Sequence, residues 1–263
     1  MHYIIIGLII LILVLIYKTK EKQNENYENI ERFPRIIHQI FFSFTPGATI
    51  PEKWAENHQV WKDMHPDWEV ILWDEESSRE LITELDSSFL KTYDNFKYPI
   101  QRVDAIRPFI LKKYGGVYVD LDTYPKHSID NLLSIYEISP KIEVITGPGT
   151  PPATCSNWLM ISKKNSEFWD LTIQQMKIES SFSAMSRHTE IMWTTGPMMI
   201  TEASKIYGKD KIVAIDKKLL SDCSVCDSEE TCEEKSLYIV NEQSKSWYSS
   251  DSSFIDSIYC AFK

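Results

Sequence analysis

The chain lacks any surplus of positive charge. Among its 263 residues, 28 lysines and arginines stand against 38 aspartates and glutamates, a formal charge of −10. Nucleic acids are bound through clustered Lys and Arg, so this balance argues against them as partners. A phosphate-bearing small molecule stays compatible, because a divalent cation bridges two anions. Internal repeats and long low-complexity tracts are also missing, which excludes a solenoid. The five cysteines, Cys155, Cys223, Cys226, Cys232 and Cys260, fall short of a structural zinc site. One C-x2-C pair sits in CSVCDSEETC, and neither a second such pair nor a His pair follows to complete four ligands. These cysteines read as a disulfide loop with Cys260 as a further partner, or as reduced thiols in a cytosolic domain. The N-terminus has no basic leader and no A-x-A-like cleavage site, so the apolar run YIIIGLIILILVLIY (3–17) reads as an uncleaved anchor and not as a signal peptide. It is short for a span of roughly 20 residues.

What is present is the composition of a folded protein, 43% hydrophobic and 25% charged. The expected organisation is a transmembrane anchor at 1–17, a polar stalk at 18–32 (KTKEKQNENYENIER) and one folded domain at 33–263. A single-pass membrane protein follows, of the Golgi or another endomembrane. Its orientation stays open: Lys18, Lys20 and Lys22 place the domain in the cytosol by the positive-inside rule, whereas a lumenal enzyme needs the reverse. Within the domain, Ile36 to Phe42 and Glu69 to Trp73 read as strands rich in β-formers, and Pro51 opens a helix carrying Trp54 and Trp61 on one face. Ser77 to Leu85 reads as a second helix. Val103, Ile106, Ile110 and Tyr114 recur at helical spacing, with a kink or break expected at Pro108 and a stop at Gly115-Gly116. Val117 to Asp120, Ile142 to Thr146 and Trp158 to Ser162 read as strands, and Ser166 to Lys177 and Met198 to Tyr207 as helices. Strands alternating with helices predict a layered α/β domain.

The chemistry is concentrated in DAIRPFILKKYGGVYVDLDTYP. Asp104 and Arg107 fall three residues apart on one helix face. A Gly-Gly turn then feeds a buried strand ending in Asp120 and Asp122, at i and i+2, where α/β sheets bind ligands. Two carboxylates on one spot repel unless a cation lies between them, and hard oxygen ligands suit Mg²⁺ or Mn²⁺ completed by phosphate oxygens. Such a cation neutralises the diphosphate leaving group of a nucleotide-sugar. A lone D-x-D is weak, because Asp pairs are common in solvated turns. Other side chains have plain structural readings: Arg107 as a surface ion pair, Tyr118 and the Trp residues as core, His38 as a satisfied core histidine, Asn157 as a turn residue.

The full string resembles the DXD-containing glycosyltransferases of family 32, a group that includes the fungal initiating α-1,6-mannosyltransferases, the inositol phosphorylceramide mannosyltransferases and the α-1,4-galactosyltransferases. Its pattern, a D-x-x-R helix and then GG-x-Y-x-D-x-D, is matched at Asp104, Arg107, Gly115, Gly116, Tyr118, Asp120 and Asp122. FPRIIHQIFF, the segment 51–75, SNWLMISKKNSEFW and TTGPMMIT resemble further blocks, so the likeness covers about residues 33–205. The resemblance implies a GT-A-type α/β fold with a mainly parallel central sheet, Mn²⁺ or Mg²⁺ at the DXD, and a retaining hexose transfer from a nucleotide-sugar. GDP-mannose is the first choice of donor, and a glycan or a glycolipid such as inositol phosphorylceramide the acceptor. Galactosyl, glucosyl and N-acetylglucosaminyl transfer are the alternatives, as is a non-catalytic transferase-like membrane subunit; an accessory subunit is a further expected partner. By the same resemblance Asp104, Arg107 and Tyr118 contact the donor sugar, Asp122 ligates the metal, and Asp120 contacts the sugar, the ribose or the metal through water. His38, Gln39 and Ile40 line the base pocket, and Asn157 faces the anomeric carbon. Trp247, in a polar stretch, reads as a lid over the diphosphate. One departure stands out: where many relatives carry a metal-binding His shortly before a Ser-Trp pair, this chain reads YIVNEQSKSW, so Asn241 or Glu242 takes that place. A haloacid-dehalogenase-type phosphatase also has D-x-D, but here Thr123 stands one position early and no later D-D pair follows.

Overall fold

A computed structural model of the chain describes residues 31–45, 47–208, 210–220, 226–242 and 248–261, together with Ile12, Leu15, Tyr17, Lys18, Cys223 and Ser244. The chain divides into two compact units, Met1–Arg32 and Phe33–Lys263. In the first, Ile12, Leu15, Tyr17 and Lys18 are helical; the rest of the expected anchor and nearly all of the stalk lie outside the described residues. Among the described residues no helix is long and apolar enough to cross a membrane.

The second unit runs β1 (Ile36–Ile40), α1 (Glu52–Met64), β2 (Glu69–Trp73), α2 (Glu75–Asp86), α3 (Leu90–Asp94), α4 (Pro99–Tyr114), β3 (Gly116–Val119), β4 (Thr123–Pro125), α5 (Asp130–Glu137), β5 (Val144–Pro148), β6 (Cys155–Ser162), α6 (Glu167–Glu179), α7 (Arg187–Thr194), α8 (Pro197–Tyr207), β7 (Ile212–Ala214), α9 (Lys217–Leu220), α10 (Glu229–Lys235), β8 (Ile239–Asn241) and α11 (Ser250–Ala261). Six strands form one sheet in the order β2-β1-β3-β6-β5-β7, and β4 pairs with β8 in a small second sheet. The large sheet is mixed but mainly parallel: β6 alone runs antiparallel to its neighbours β3 and β5.

The period-2 alternation of strand side chains divides the core. On β3 and β6, Tyr118 and Met160 pack into one cluster with Phe109, Phe168 and Trp169. Their neighbours Val117, Val119, Leu159 and Ile161 pack through the other face against Trp61, Leu132 and Leu133. Each fully buried side chain of this size contributes roughly 1.5–3 kcal/mol, so this two-sided burial fixes the register of β3.

Helix α4 runs unbroken through Pro108, against the kink or break expected there. Every residue from Val103 to Leu111 is buried, and tertiary packing outweighs the lost hydrogen bond. The Gly-Gly stop holds as expected. Gly116 has φ +83°, and a Cβ there would lie 2.5 Å from the Ile36 carbonyl oxygen on β1. Gly116→Ala is therefore expected to destabilise the domain by more than about 2 kcal/mol, read as a drop in denaturation midpoint; an unchanged midpoint would show that β1 and β3 move apart freely.

Other segments differ from the sequence reading in detail. Strand β1 ends at Ile40 and leaves Phe41 and Phe42 to a loop, and a helix, α11, occupies much of the Ser-rich tail. The cysteines pair as Cys223–Cys232 and Cys226–Cys260, leaving Cys155 as a buried thiol. Cys223, Asp227 and Cys232 lie close enough together to suit a metal, but both sulfurs are spent in that disulfide.

Candidate active site

The sheet order places a crevice before any side chain is considered. From β1 the chain goes to β2 on one side, and β3 then inserts on the other side of β1. The connections leaving the carboxyl ends of the paired strands β1 and β3 therefore part at a topological switch point, where open α/β sheets bind ligands. A cavity of about 630 Å³ opens there, within the range of small-molecule sites. Ile40 to Thr45 form one wall, and Asp120 to Asp122 lie at its base. Asp104 and Arg107 enter from α4, Asn157 and Trp158 from β6, and Asn241 from β8.

Asp120 and Asp122 are not on the strand, as their alternation suggested. Strand β3 ends at Val119 and both residues lie in the turn beyond it. They still line one cavity. The Tyr118 hydroxyl donates to Asp120 Oδ1 at 2.6 Å, and Arg107 pairs with the same oxygen at 3.1 Å. Asp122 Oδ2 accepts from the Ser244 backbone N–H at 3.0 Å, and its carbonyl accepts from the Glu242 N–H at 3.0 Å. Among the described residues, Asp120 Oδ2 and Asp122 Oδ1 have no hydrogen-bond partner.

Arg107 is not a surface ion pair. It is 4% exposed, and besides Asp120 it pairs with Asp104 at 3.0 Å and donates to the Asn157 carbonyl at 2.9 Å. Its guanidinium stacks over Tyr118, 4.6 Å from the ring centroid. Asp104 is held in turn by the Asn157 side-chain amide at 3.2 Å and by Thr195 Oγ1 at 3.2 Å. Burial pushes the Asp104 carboxyl upward, with Arg107 offsetting part of the effect. Burial also raises Asp120 to about 7; Arg107 opposes the rise and the Asp122 charge adds to it. The site is thus short of positive charge, and it offers hard oxygen donors from Asp120, Asp122 and the Asn241 amide. That donor set fits a divalent Mn²⁺ or Mg²⁺ ion.

The raised Asp120 has a signed consequence for stability. Between about pH 4 and pH 7 the folded domain keeps a proton that the unfolded chain has released, so this group's stabilisation is present at low pH and lost as pH rises through 7. Asn at this position cannot titrate. In EDTA, Asp120→Asn is expected to gain stability relative to wild type between pH 5 and pH 8. The gain is on the order of 2 kcal/mol, discounted for the 27% of the side chain that is still exposed. Paired melting curves check this; a difference that stays flat across that range would refute the raised carboxyl.

Three expected site residues fall elsewhere. His38 is fully buried, with Nε2 3.0 Å from the Gly115 carbonyl and Nδ1 accepting from the Trp73 indole at 3.2 Å. Burial lowers its pKa to about 4, so it is a neutral core residue and does not line the cavity. Gln39 is likewise buried, its Oε1 bonded to His58 Nδ1. Of the segment 38–40, only Ile40 reaches the cavity. Period-2 alternation explains the loss of Gln39, and His38 faces α4 beneath the site. Glu242 turns toward α1, where Lys53 and Asn57 hold its carboxylate at 3.2 Å each, so of the two candidates Asn241 lines the cavity. Trp247 lies outside the described residues. Conversely, Trp54, expected in the core, is half-buried and lines the cavity. Thr195, Arg187 and Tyr248 also reach the site without having been singled out; only Thr195 had a signal, its place in the TTGP block.

Residues 51–138 match the family described as glycosyltransferase sugar-binding region containing DXD motif. Over 179 residues the chain is 37% identical to the mannosyl phosphorylinositol ceramide synthase SUR1 of Saccharomyces cerevisiae, covering 68% of this chain and 44% of that one. It is 34% identical over 168 residues to the inositol phosphoceramide mannosyltransferase 3 of Schizosaccharomyces pombe, covering 64% of this chain and 44% of that one. The chain spans under half the length of these curated relatives. Among solved structures, a PaToxG glycosyltransferase aligns with a TM-score of 0.51 at 15% identity, covering 71% of this chain and 77% of that one. At that identity the likeness establishes the fold alone, a GT-A-like glycosyltransferase fold.

Proposed function

We propose that the chain, which matches the DXD-containing glycosyltransferase sugar-binding region over residues 51–138, transfers a hexose, mannose first, from a nucleoside-diphosphate sugar to an inositol phosphorylceramide-like acceptor. The observation that carries this is the pair of carboxylates, Asp120 and Asp122, lining one cavity together with the Asp104–Arg107–Asn157 network, which is joined to Asp120 through Arg107. Mannose rests on the names of the two relatives, and GDP as its carrier on the family resemblance of the sequence. The disulfides favour an oxidising lumen over the cytosolic orientation read from the lysines.

Asp122 and Asp120, with Asn241, would hold the divalent ion. When bound, that ion supplies charge neutralisation at the departing diphosphate. The protein's own contribution is positioning. Asp104, fixed from three sides by Arg107, Asn157 and Thr195, presents a rigid acceptor for sugar hydroxyls. Arg107 holds Asp104 and Asp120 in a single geometry and prevents their mutual repulsion from opening the site. Asp120 is braced by Tyr118 with one oxygen left toward the cavity. Among the described residues no side chain is assigned the role of nucleophile. The reaction proposed is front-face: the acceptor oxygen bonds to the anomeric carbon as the sugar–phosphate bond breaks, and the acceptor proton passes to the departing phosphate oxygen, with retention.

The test is release of nucleoside diphosphate from each common nucleotide-sugar, with Mn²⁺ and with EDTA, with and without inositol phosphorylceramide in mixed micelles. Metal-dependent release from GDP-mannose alone, stimulated by the lipid, is the expected result. Release from a UDP-sugar would reassign the donor, and no release by folded protein under any condition would end the transferase reading.

A further inference from the structure

Among the described residues, five charged side chains line the cavity: Asp104, Arg107, Asp120, Asp122 and Arg187. Arg107 is engaged by two of the carboxylates. Arg187 differs: among the described residues it has no acidic partner, and its Nε is buried without a hydrogen bond. Its guanidinium lies over the Tyr98 ring, 5.0 Å from the centroid. Lys97 shares that ring at 4.9 Å but is paired with Glu190 at 3.3 Å. In a chain of net charge −10, an arginine that faces a cavity and is left without a carboxylate is set apart for an anionic ligand.

Its position says which anion. Arg187 opens α7, and Thr195, which bonds Asp104, follows the last residue of that helix. At 1.5 Å rise per residue the two ends lie roughly 12 Å apart. A diphosphate held at Asp122 belongs beside the DXD turn, so Arg187, at the far end of α7 from the sugar-binding carboxylate, faces a different part of the ligand assembly. Ile191, one turn along the same helix face, and Met192 also line the cavity, as do Phe42, Phe44 and Ile100. Two residues before Arg187, Met185 is fully exposed, and Phe182 is 37% exposed. The segment leading into Arg187 is anchored by polar contacts: Ser186 Oγ and the His188 N–H both donate to Asp251 Oδ2, at 2.7 and 2.9 Å.

We propose that Arg187 binds the phosphodiester of the acceptor, with the apolar side chains around it receiving the lipid portion adjoining that phosphate. This deepens the functional reading above and rests on it for the identity of the acceptor. The hydrocarbon leaves on the side of the exposed Phe182 and Met185, which precede Arg187 in the chain, and the sugar-accepting hydroxyl is directed back toward Asp104.

The test uses the full chain in detergent micelles and a soluble probe, glycerophosphoinositol, with myo-inositol as the uncharged control. Mn²⁺, GDP and UDP are all present at saturation, so that the donor side is filled. Wild type is expected to bind the probe and not the control. Arg187→Ala should weaken binding at least tenfold, and Arg187→Lys by less; with active protein, Arg187→Ala should raise KM for the micellar acceptor and not for the donor. Wild-type affinity in Arg187→Ala and in Arg187→Gln, or no binding by wild type with the nucleotides present, would each overturn the assignment. Probe binding that depends on Arg187, by a chain that releases nucleoside diphosphate from no donor, would sustain this site while defeating the transfer reaction.

Discussion

Asp122→Asn is expected to lower transfer on the order of 10³-fold while leaving the melting curve of the metal-free protein within about 1 kcal/mol of wild type. The two halves of this expectation have separate physical grounds. The Asp122 side chain is only half-buried, and among the described residues its one hydrogen bond comes from the Ser244 backbone N–H. An Asn carbonyl oxygen accepts that bond equally well, so the loop from β8 stays pinned. What is lost is a negative charge and a hard oxygen facing the cavity, which matter only when a divalent ion and a diphosphate are present. A metal titration followed by intrinsic fluorescence, run beside the activity assay, separates the effects: wild type should gain thermal stability on Mn²⁺ addition and the variant should gain little. Wild-type turnover in a normally folded Asp122→Asn protein would remove the metal role.

The largest expected loss of stability is at Arg107. Replacement by Ala leaves Asp104, 6% exposed, with no cation, and removes the counter-charge from Asp120. Breaking a buried pair by deleting one partner costs about 3–5 kcal/mol, because the remaining charge must be neutralised or stay unpaired. For a domain of this size that corresponds to a fall in Tm of about 10 °C. Asp104→Asn in the Arg107→Ala background is expected to recover a substantial part, since it removes the stranded carboxylate. A non-additive double-mutant cycle is the signature. A loss below about 1 kcal/mol for Arg107→Ala would mean that the pair behaves as an exposed i,i+3 contact.

The D-x-x-R spacing brought Asp104 and Arg107 to one helix face, but the same spacing is shared by weak surface pairs. Nothing local distinguishes the two until β6 covers the helix and supplies the Asn157 carbonyl and amide as partners. Gly115-Gly116 is the opposite case. Its positive φ values and the approach of Ile36 are constraints that only glycine meets, so the turn was legible where it stands. Pro108 was misread because the local rule is sound and the burial of a nine-residue run overrides it.

The sequence by itself determined the α/β alternation, the turn that delivers Asp120 and Asp122, and the oxygen-rich chemistry of the site. These depend on periodicity, glycine conformation and side-chain type, all of which act over a few residues. Only the tertiary structure decided that His38 and Gln39 face away from the cavity, that Asn241 reaches it and Glu242 does not, and that Arg187 stands there without an acidic partner among the described residues. Asn241 arrives because β8 pairs with β4, register Thr123 to Asn241, across 118 positions of chain. Arg187 arrives because α7 packs beside α4 with Thr195 on Asp104. Contacts at such separations are set by which apolar faces bury against one another, a property of the whole core that no short window of sequence contains.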